Sequence, residues 1–190
     1  MRLLIMGPPG SGKGTQAAIV AKRFNMPAIS TGDIFRANVA EGTPLGQQAE
    51  RYMQAGKYVP DELTNRMVRE RLNEADTADG FLLDGYPRTV AQVEFLDSVL
   101  AEQGVGLDRV IEMVVDVEAV VQRLLARAGD EGREDDSEDV IRYRQDLYAQ
   151  QTAPLTAIYR ERGLLVQVDG MGTIDEVADR IAAALGADDE

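Results

Sequence analysis

The sequence predicts an α/β fold: a five-stranded parallel sheet with helices on both faces. Two observations carry this. Short apolar runs alternate with longer segments whose apolar residues recur at helical spacing, the order that builds a parallel sheet. Each run is nearly continuous in apolar residues, as strands buried on both faces are. With 190 residues the chain is one domain by length and can bury a core.

The first strand is Leu3-Leu4-Ile5-Met6, stopped by the Gly/Pro cluster that starts at Gly7. From Lys13, Ala17, Val20, Ala21 and Phe24 fall on one helical face. Pro27 to Ser30 reads as a short second strand. A helix with Ile34, Phe35 and Arg36 follows, then one opened by Thr43-Pro44 and closed at Gly56, then one capped by Asp61 that runs to about Asn73. Three helices without an intervening strand predict an excursion from the sheet. Phe81-Leu82-Leu83-Asp84 is the third strand, and Thr89 to about Gln103 the next helix. Val110 to Val115 is the fourth strand, before a helix with Val117, Val120, Val121, Leu124 and Leu125 inward. Asp130 to Asp139 holds seven acids, which predict a solvated loop and a negatively charged helix start. The helical region from Ser137 breaks near Thr152-Ala153-Pro154. Leu164 to Val168 is the last strand, and Ile174 to Leu185 the last helix.

Composition narrows the chemistry. There is no cysteine and no histidine, hence no disulfide, thiolate metal site, structural zinc or cysteine nucleophile, and no histidine base. No run approaches the length of a membrane span, and no cleaved leader is expected, so a cytoplasmic protein without a membrane partner is the expectation. The net charge of −13 argues against a nucleic-acid partner.

Gly7-Pro8-Pro9-Gly10-Ser11-Gly12-Lys13 has the spacing of a phosphate-binding loop, between a strand and a helix as that motif requires. Loop N–H groups and a helix N-terminus can cradle phosphate oxygens, and Lys13 can neutralise a terminal phosphate. The usual Ser/Thr after the lysine is Gly14, with Thr15 one place later. This leaves the magnesium-side hydroxyl open. A polyanionic ligand on an acidic protein requires local convergence of cations. Asp84, ending a strand, is placed to serve Mg²⁺ beside such a loop. Arg88 and Gln92 are expected to share a face at a helix start, one to grip phosphate and one to read a base edge.

With Ser30-Thr31-Gly32-Asp33, Arg36, Asp84-Gly85-Tyr86-Pro87-Arg88, Arg133-Glu134-Asp135-Asp136, Arg144 and Thr152-Ala153-Pro154-Leu155, these motifs resemble the adenylate kinases from Met1 to Leu185. The offset Thr15 is regular in that family. The resemblance implies a P-loop NTPase fold and transfer of the γ-phosphoryl group of ATP·Mg²⁺ to AMP, giving two ADP. Gly10, Ser11, Gly12, Lys13, Gly14, Thr15, Arg127 and the Gly172 backbone would take ATP. Thr31, Arg36, Lys57, Tyr58, Val59, Gly85, Tyr86, Pro87, Arg88 and Gln92 would take AMP, with Arg133 and Arg144. Lys13, Arg36, Arg88, Arg133 and Arg144 would surround the transferring group; Asp84, through water, and Thr15 would serve the metal. Residues 30–59 would be an AMP-binding lobe and 126–138 a short lid, on a monomer. Whether Arg127 or Arg133 reaches a given phosphate stays open. The attacking AMP phosphate is already a nucleophile, so the reaction needs no protein base. Uridylate/cytidylate kinases match less well at Thr31, and Thr31 with Gln92 favours adenine. A switch that binds one nucleotide would not need so many arginines.

Overall fold

A computed structural model describes residues 1–131 and 137–186, with side chains described for 1–125 and 137–186. The strands are β1 Arg2–Met6, β2 Ala28–Ser30, β3 Phe81–Asp84, β4 Arg109–Val114 and β5 Leu165–Asp169. They form one sheet in the order β2-β3-β1-β4-β5, with every pairing parallel. The predicted architecture is therefore present.

Parallel strands need crossovers, and the helices supply them on both faces. They are α1 Lys13–Arg23, α2 Thr31–Ala40, α3 Pro44–Gln54, α4 Asp61–Leu72, α5 Val90–Glu102, α6 Val117–Glu131, α7 Glu138–Leu147, α8 Leu155–Glu161 and α9 Ile174–Ala184. Successive strand residues point to opposite faces, which explains the continuous apolar runs. Leu4, Met6, Phe81, Leu83 and Val110 enter one core with Leu96 and Leu100 of α5 and Tyr159 of α8. Leu3, Ile5, Leu82, Ile111 and Met113 enter the other, with Val20 of α1 and Ile181 of α9. No described helix is long and apolar enough to cross a membrane.

Three elements differ from the sequence-based expectation. Pro60 is the N-cap of α4, and Asp61 is its first helical residue; its carboxylate binds side chains across the chain instead of capping. The helix α6 runs on through Asp130 and Glu131, since one glycine, Gly129, weakens a helix without ending it. Between α7 and α8 the backbone makes a π turn, Tyr148–Thr152, closed by the Ala153 N–H on the Tyr148 carbonyl at 2.8 Å.

The central strand β1 pairs with β3 on one side and β4 on the other. Its C-terminal end is where the strand order reverses direction, the place where open parallel sheets leave a crevice.

Candidate active site

The loop at 7–12 leaves β1 at that crevice. Gly10 and Gly12 have φ of 82° and 84°, a region costly to residues with a Cβ. At Gly10 a Cβ would also lie 2.7 Å from Cγ of Leu124 on α6, so the loop rests directly on that helix. The Ser11 N–H donates to the Pro8 carbonyl at 3.1 Å, and Gln145 Nε2 of α7 donates to the Pro9 carbonyl at 2.8 Å. No side chain caps α1, and its first turn carries no acid, whereas Ser30, Thr43, Thr89 and Thr173 cap α2, α3, α5 and α9. An uncapped, acid-free helix start behind a glycine loop is suited to an anion. Lys13 opens this helix, its Nζ 3.5 Å from the Pro8 carbonyl.

Register sets Asp84 opposite Ile5 and Ser30, which brings the end of β3 against the loop. Asp84 is buried, and its Oδ1 has no hydrogen-bond partner; the same holds for Ser11 Oγ. Its Oδ2 would be 3.4 Å from a Cβ at Gly14. Buried polar oxygens are ordinarily satisfied, so an orphaned carboxylate oxygen beside an anion cradle fits a hydrated cation. Thr15, by contrast, is exposed on α1.

Past Asp84 the chain turns at Gly85, φ 80°, through a cis Tyr86–Pro87 peptide. Thr31 Oγ1 donates to the Gly85 carbonyl at 3.0 Å, as does Arg88 Nε at 2.7 Å. A Cβ at Gly85 would meet both, 2.7 Å from Thr31 Oγ1 and 3.0 Å from Arg88 Nη2. The Arg88 guanidinium lies over the Tyr58 ring, 4.9 Å from its centroid. Tyr58 Oη is 2.7 Å from Thr152 Oγ1, which donates to the Arg88 carbonyl at 3.0 Å. Arg88 thus precedes the N-cap Thr89 and does not share a helical face with Gln92, contrary to the sequence expectation; Gln92 instead accepts from the Arg88 N–H at 2.7 Å. Tyr86 is buried, and desolvation, with the charge of Asp61 adding to it, pushes its phenol well above the usual range. Its hydroxyl donates to Asn65 Oδ1 at 2.7 Å.

These parts line one open cleft. Lys13 stands at its loop end, with Thr31 and Arg36 from α2 and Lys57, Tyr58 and Val59 from the segment after α3. Gly85, Tyr86, Pro87, Arg88 and Gln92 form another wall, and Arg144 comes from α7. Arg36 pairs with Asp33, while Arg144 packs so closely that a Cβ at Gly56 would be 3.1 Å from its Cγ. In an unbroken α-helix Thr152 would sit about 80° around the axis from Arg144. The π turn absorbs an extra residue, so Arg144, Tyr148 and Thr152 all face the cleft.

Gly172 lies away from this cleft, in the turn between β5 and α9, with φ 119°. Arg180 Nη1 donates to the carbonyls of Asp169 and Met171, at 3.0 and 2.6 Å, and shapes that turn. Gln16 Nε2 donates to the Ile174 carbonyl at 2.8 Å, tying α1 to the same end. The side chain of Arg127, and Arg133 altogether, lie outside the described residues. Gln145 and Asp61 were not singled out for the site by sequence reasoning, because their partners are far along the chain and no local spacing marks them.

A cleft that joins a phosphate loop to several arginines admits many phosphate-transfer chemistries, and comparison with known proteins narrows them. A family model described as adenylate kinase matches residues 5–164. An adenylate kinase of a Nocardioides species is 65% identical over 185 residues, which cover 97% of each chain. One from Kocuria rhizophila is 59% identical, over 97% of this chain and 98% of that one. One from Thermobifida fusca is 55% identical, over 97% and 98%. Since the likeness spans loop, cleft and nearly the whole length of both partners, the chain belongs to the adenylate kinase family.

Proposed function

We propose that the chain transfers the γ-phosphoryl group of ATP·Mg²⁺ to AMP, giving two ADP. The observation that carries this reading is the single cleft in which Lys13 of the phosphate loop shares walls with Arg36, Arg88 and Arg144, while no carboxylate lines it among the described residues. A phosphate oxygen of AMP attacks the γ-phosphorus as the bond to the β–γ bridging oxygen breaks, and ADP leaves with that electron pair. The nucleophile is an anion, so no proton has to be removed by the protein. What the reaction needs is in-line placement, charge neutralisation and exclusion of water.

On this reading the loop residues Gly10, Ser11, Gly12, Lys13, Gly14 and Thr15 hold the ATP phosphates, and the Gly172 turn borders the adenine. Arg36 and Arg88 hold the AMP phosphate, with Arg144 between the two nucleotides. Thr31, Lys57 to Val59, Gly85 to Pro87 and Gln92 enclose the AMP. Arg127 and Arg133 belong to a lid at 126–138, and 30–59 is the lobe that closes on AMP. Asp84, with its unsatisfied Oδ1, would hold Mg²⁺, with Thr15 as the nearby hydroxyl; when bound, the ion neutralises charge on the ATP oxygens. The protein acts in the cytoplasm and as a monomer, the latter supported by exposed large apolar side chains that, among the described residues, are scattered over separate elements.

The test is to follow diphosphate formation from ATP and Mg²⁺ with AMP, GMP, CMP and UMP in turn. AMP is expected to be the preferred acceptor; no ADP from ATP and AMP by folded protein overturns the reading. A diadenosine oligophosphate should bind far more tightly than either mononucleotide, since one ligand fills both sites.

A further inference from the structure

Gln92 is buried and lines the cleft, and both ends of its amide are engaged. Oε1 accepts from the Arg88 backbone N–H at 2.7 Å, and Nε2 donates to Asp61 Oδ1 at 2.7 Å. A backbone N–H can only donate and a carboxylate can only accept, so the two partners together fix which end of the amide is oxygen, and losing either weakens the preference. Asp61 is held in turn: Thr89 Oγ1 donates to its Oδ2 at 2.9 Å and accepts from the Gln92 backbone N–H at 3.2 Å. Each end of the Gln92 amide keeps one unused capacity, a lone pair on Oε1 and a proton on Nε2.

We infer that Asp61 is a specificity-determining positioning residue: it locks the handedness of the Gln92 amide, and thereby the order of acceptor and donor offered to the base of the monophosphate. This rests on the reading of the cleft as an AMP site. Adenine presents a donor at its 6-amino group beside an acceptor at N1. Hypoxanthine and guanine present the reverse, an acceptor at O6 beside a donor at N1. An amide free to turn over would serve either edge. The locked one matches adenine and leaves two buried groups unpaired against the reversed edge, the situation in which hydrogen-bonding sites discriminate most strongly.

The experiment measures diphosphate formation from ATP·Mg²⁺ with AMP or with inosine monophosphate, which differs from AMP at that edge without adding a 2-amino group. Wild-type protein should prefer AMP by at least ~100-fold in kcat/KM; a preference below about tenfold overturns the lock. Asp61→Ala should raise the ratio of inosine monophosphate to AMP use about tenfold, chiefly through a higher KM for AMP, with kcat little changed. Asp61→Ser, whose hydroxyl donates or accepts, does the same if the alanine variant does not fold. Asp61→Asn should keep the wild-type ratio, because its carbonyl can accept from Nε2 while its amide turns to Thr89. A purely structural Asp61 would lower the melting temperature and the use of both substrates alike; an unmoved ratio in the Ala and Ser variants therefore overturns the inference, and so does an Asn variant that behaves as Ala. Wild-type protein inert toward ATP and AMP would instead remove the AMP-site reading itself.

Discussion

The chain Tyr58–Thr152–Arg88 allows a prediction with a sign. Thr152 has one hydroxyl proton, and the Arg88 carbonyl 3.0 Å away can only accept, so that proton is committed. Tyr58 must then donate to Thr152 Oγ1 across 2.7 Å. Thr152→Val keeps the side-chain shape and removes the hydroxyl, which strands the Tyr58 hydroxyl and the Arg88 carbonyl together. At 1–3 kcal/mol for each buried orphan, tempered because Tyr58 is only half-buried, the cost is about 2 kcal/mol, or about 4–8 °C in Tm at this chain length. Tyr58→Phe removes only the donor and leaves the ring beneath Arg88, so about 1 kcal/mol is lost. The double variant should cost about 1 kcal/mol less than the sum of the singles, since without the Tyr58 hydroxyl the valine strands one group fewer. Urea unfolding of the four proteins yields this coupling. Additive costs would mean that the hydroxyls do not interact, and the reasoning would fail. Because the chain sets the Arg88 backbone, Thr152→Val should also raise KM for AMP severalfold.

Two further outcomes follow from single residues. Lys13→Ala should lower turnover by about 10²–10³, the usual loss for one transition-state donor, while Tm stays near wild type; steady-state ADP formation measures it. Glu176 completes a capping box on α9, its carboxylate accepting from the Thr173 N–H at 2.8 Å, and that hydrogen bond holds its pKa below the usual value of 4.5. A depressed carboxylate stabilises the fold above its unfolded pKa, and the contribution disappears as pH falls through the lower folded value. Glu176→Gln should therefore be less stable than wild type at pH 7, with the gap closing below about pH 4.5, the ordinary carboxylate range. Thermal melts from pH 7 to pH 3 test this; a gap that does not close refutes it.

How legible all this was depended on how local the cause is. The phosphate loop could be read directly, because Gly10, Gly12 and Lys13 are contiguous and their conformations follow from residue type. The strands could be read because burial on both faces leaves a continuous apolar run, as Leu3 to Met6 show by entering two different cores in alternation. The arginines converge from separate elements; Arg88 could be read from its turn at a helix start, while only family resemblance picked out Arg36 and Arg144. Asp61 illustrates the limit: an acid at a helix start reads as a cap, yet its partners Thr89 and Gln92 stand 28 and 31 residues away. Gln145 offers no local sign of its bond to the Pro9 carbonyl. The π turn is likewise hidden, since nothing in Tyr148 to Thr152 demands an extra residue; its reason is that Arg144 and Thr152 must face the same cleft.

The charge balance poses a last question, because a protein of net charge −13 is proposed to collect two polyanions. The described cleft lining contains Lys13, Arg36, Lys57, Arg88 and Arg144 without a carboxylate. Many acids are instead paired outward, as Asp97 with Arg162, Glu102 with Arg69 and Asp76 with Arg71. Two fields of opposite sign thus act on AMP, a diffuse repulsion from the whole surface and a short-range attraction inside the cleft. Salt separates them. The Debye length falls from about 30 Å at 0.01 M to about 8 Å at 0.15 M, which screens both, so the dominant field sets the sign of the change. Contacts at hydrogen-bond distance outrank charges spread over the outer surface, because Coulomb energy falls with distance and the dielectric is lower inside the cleft. KM for AMP should therefore rise severalfold over that range with Mg²⁺ and ATP saturating. A KM that falls instead would mean that the overall negative charge governs binding, and that the cations of the cleft are not arranged to overcome it.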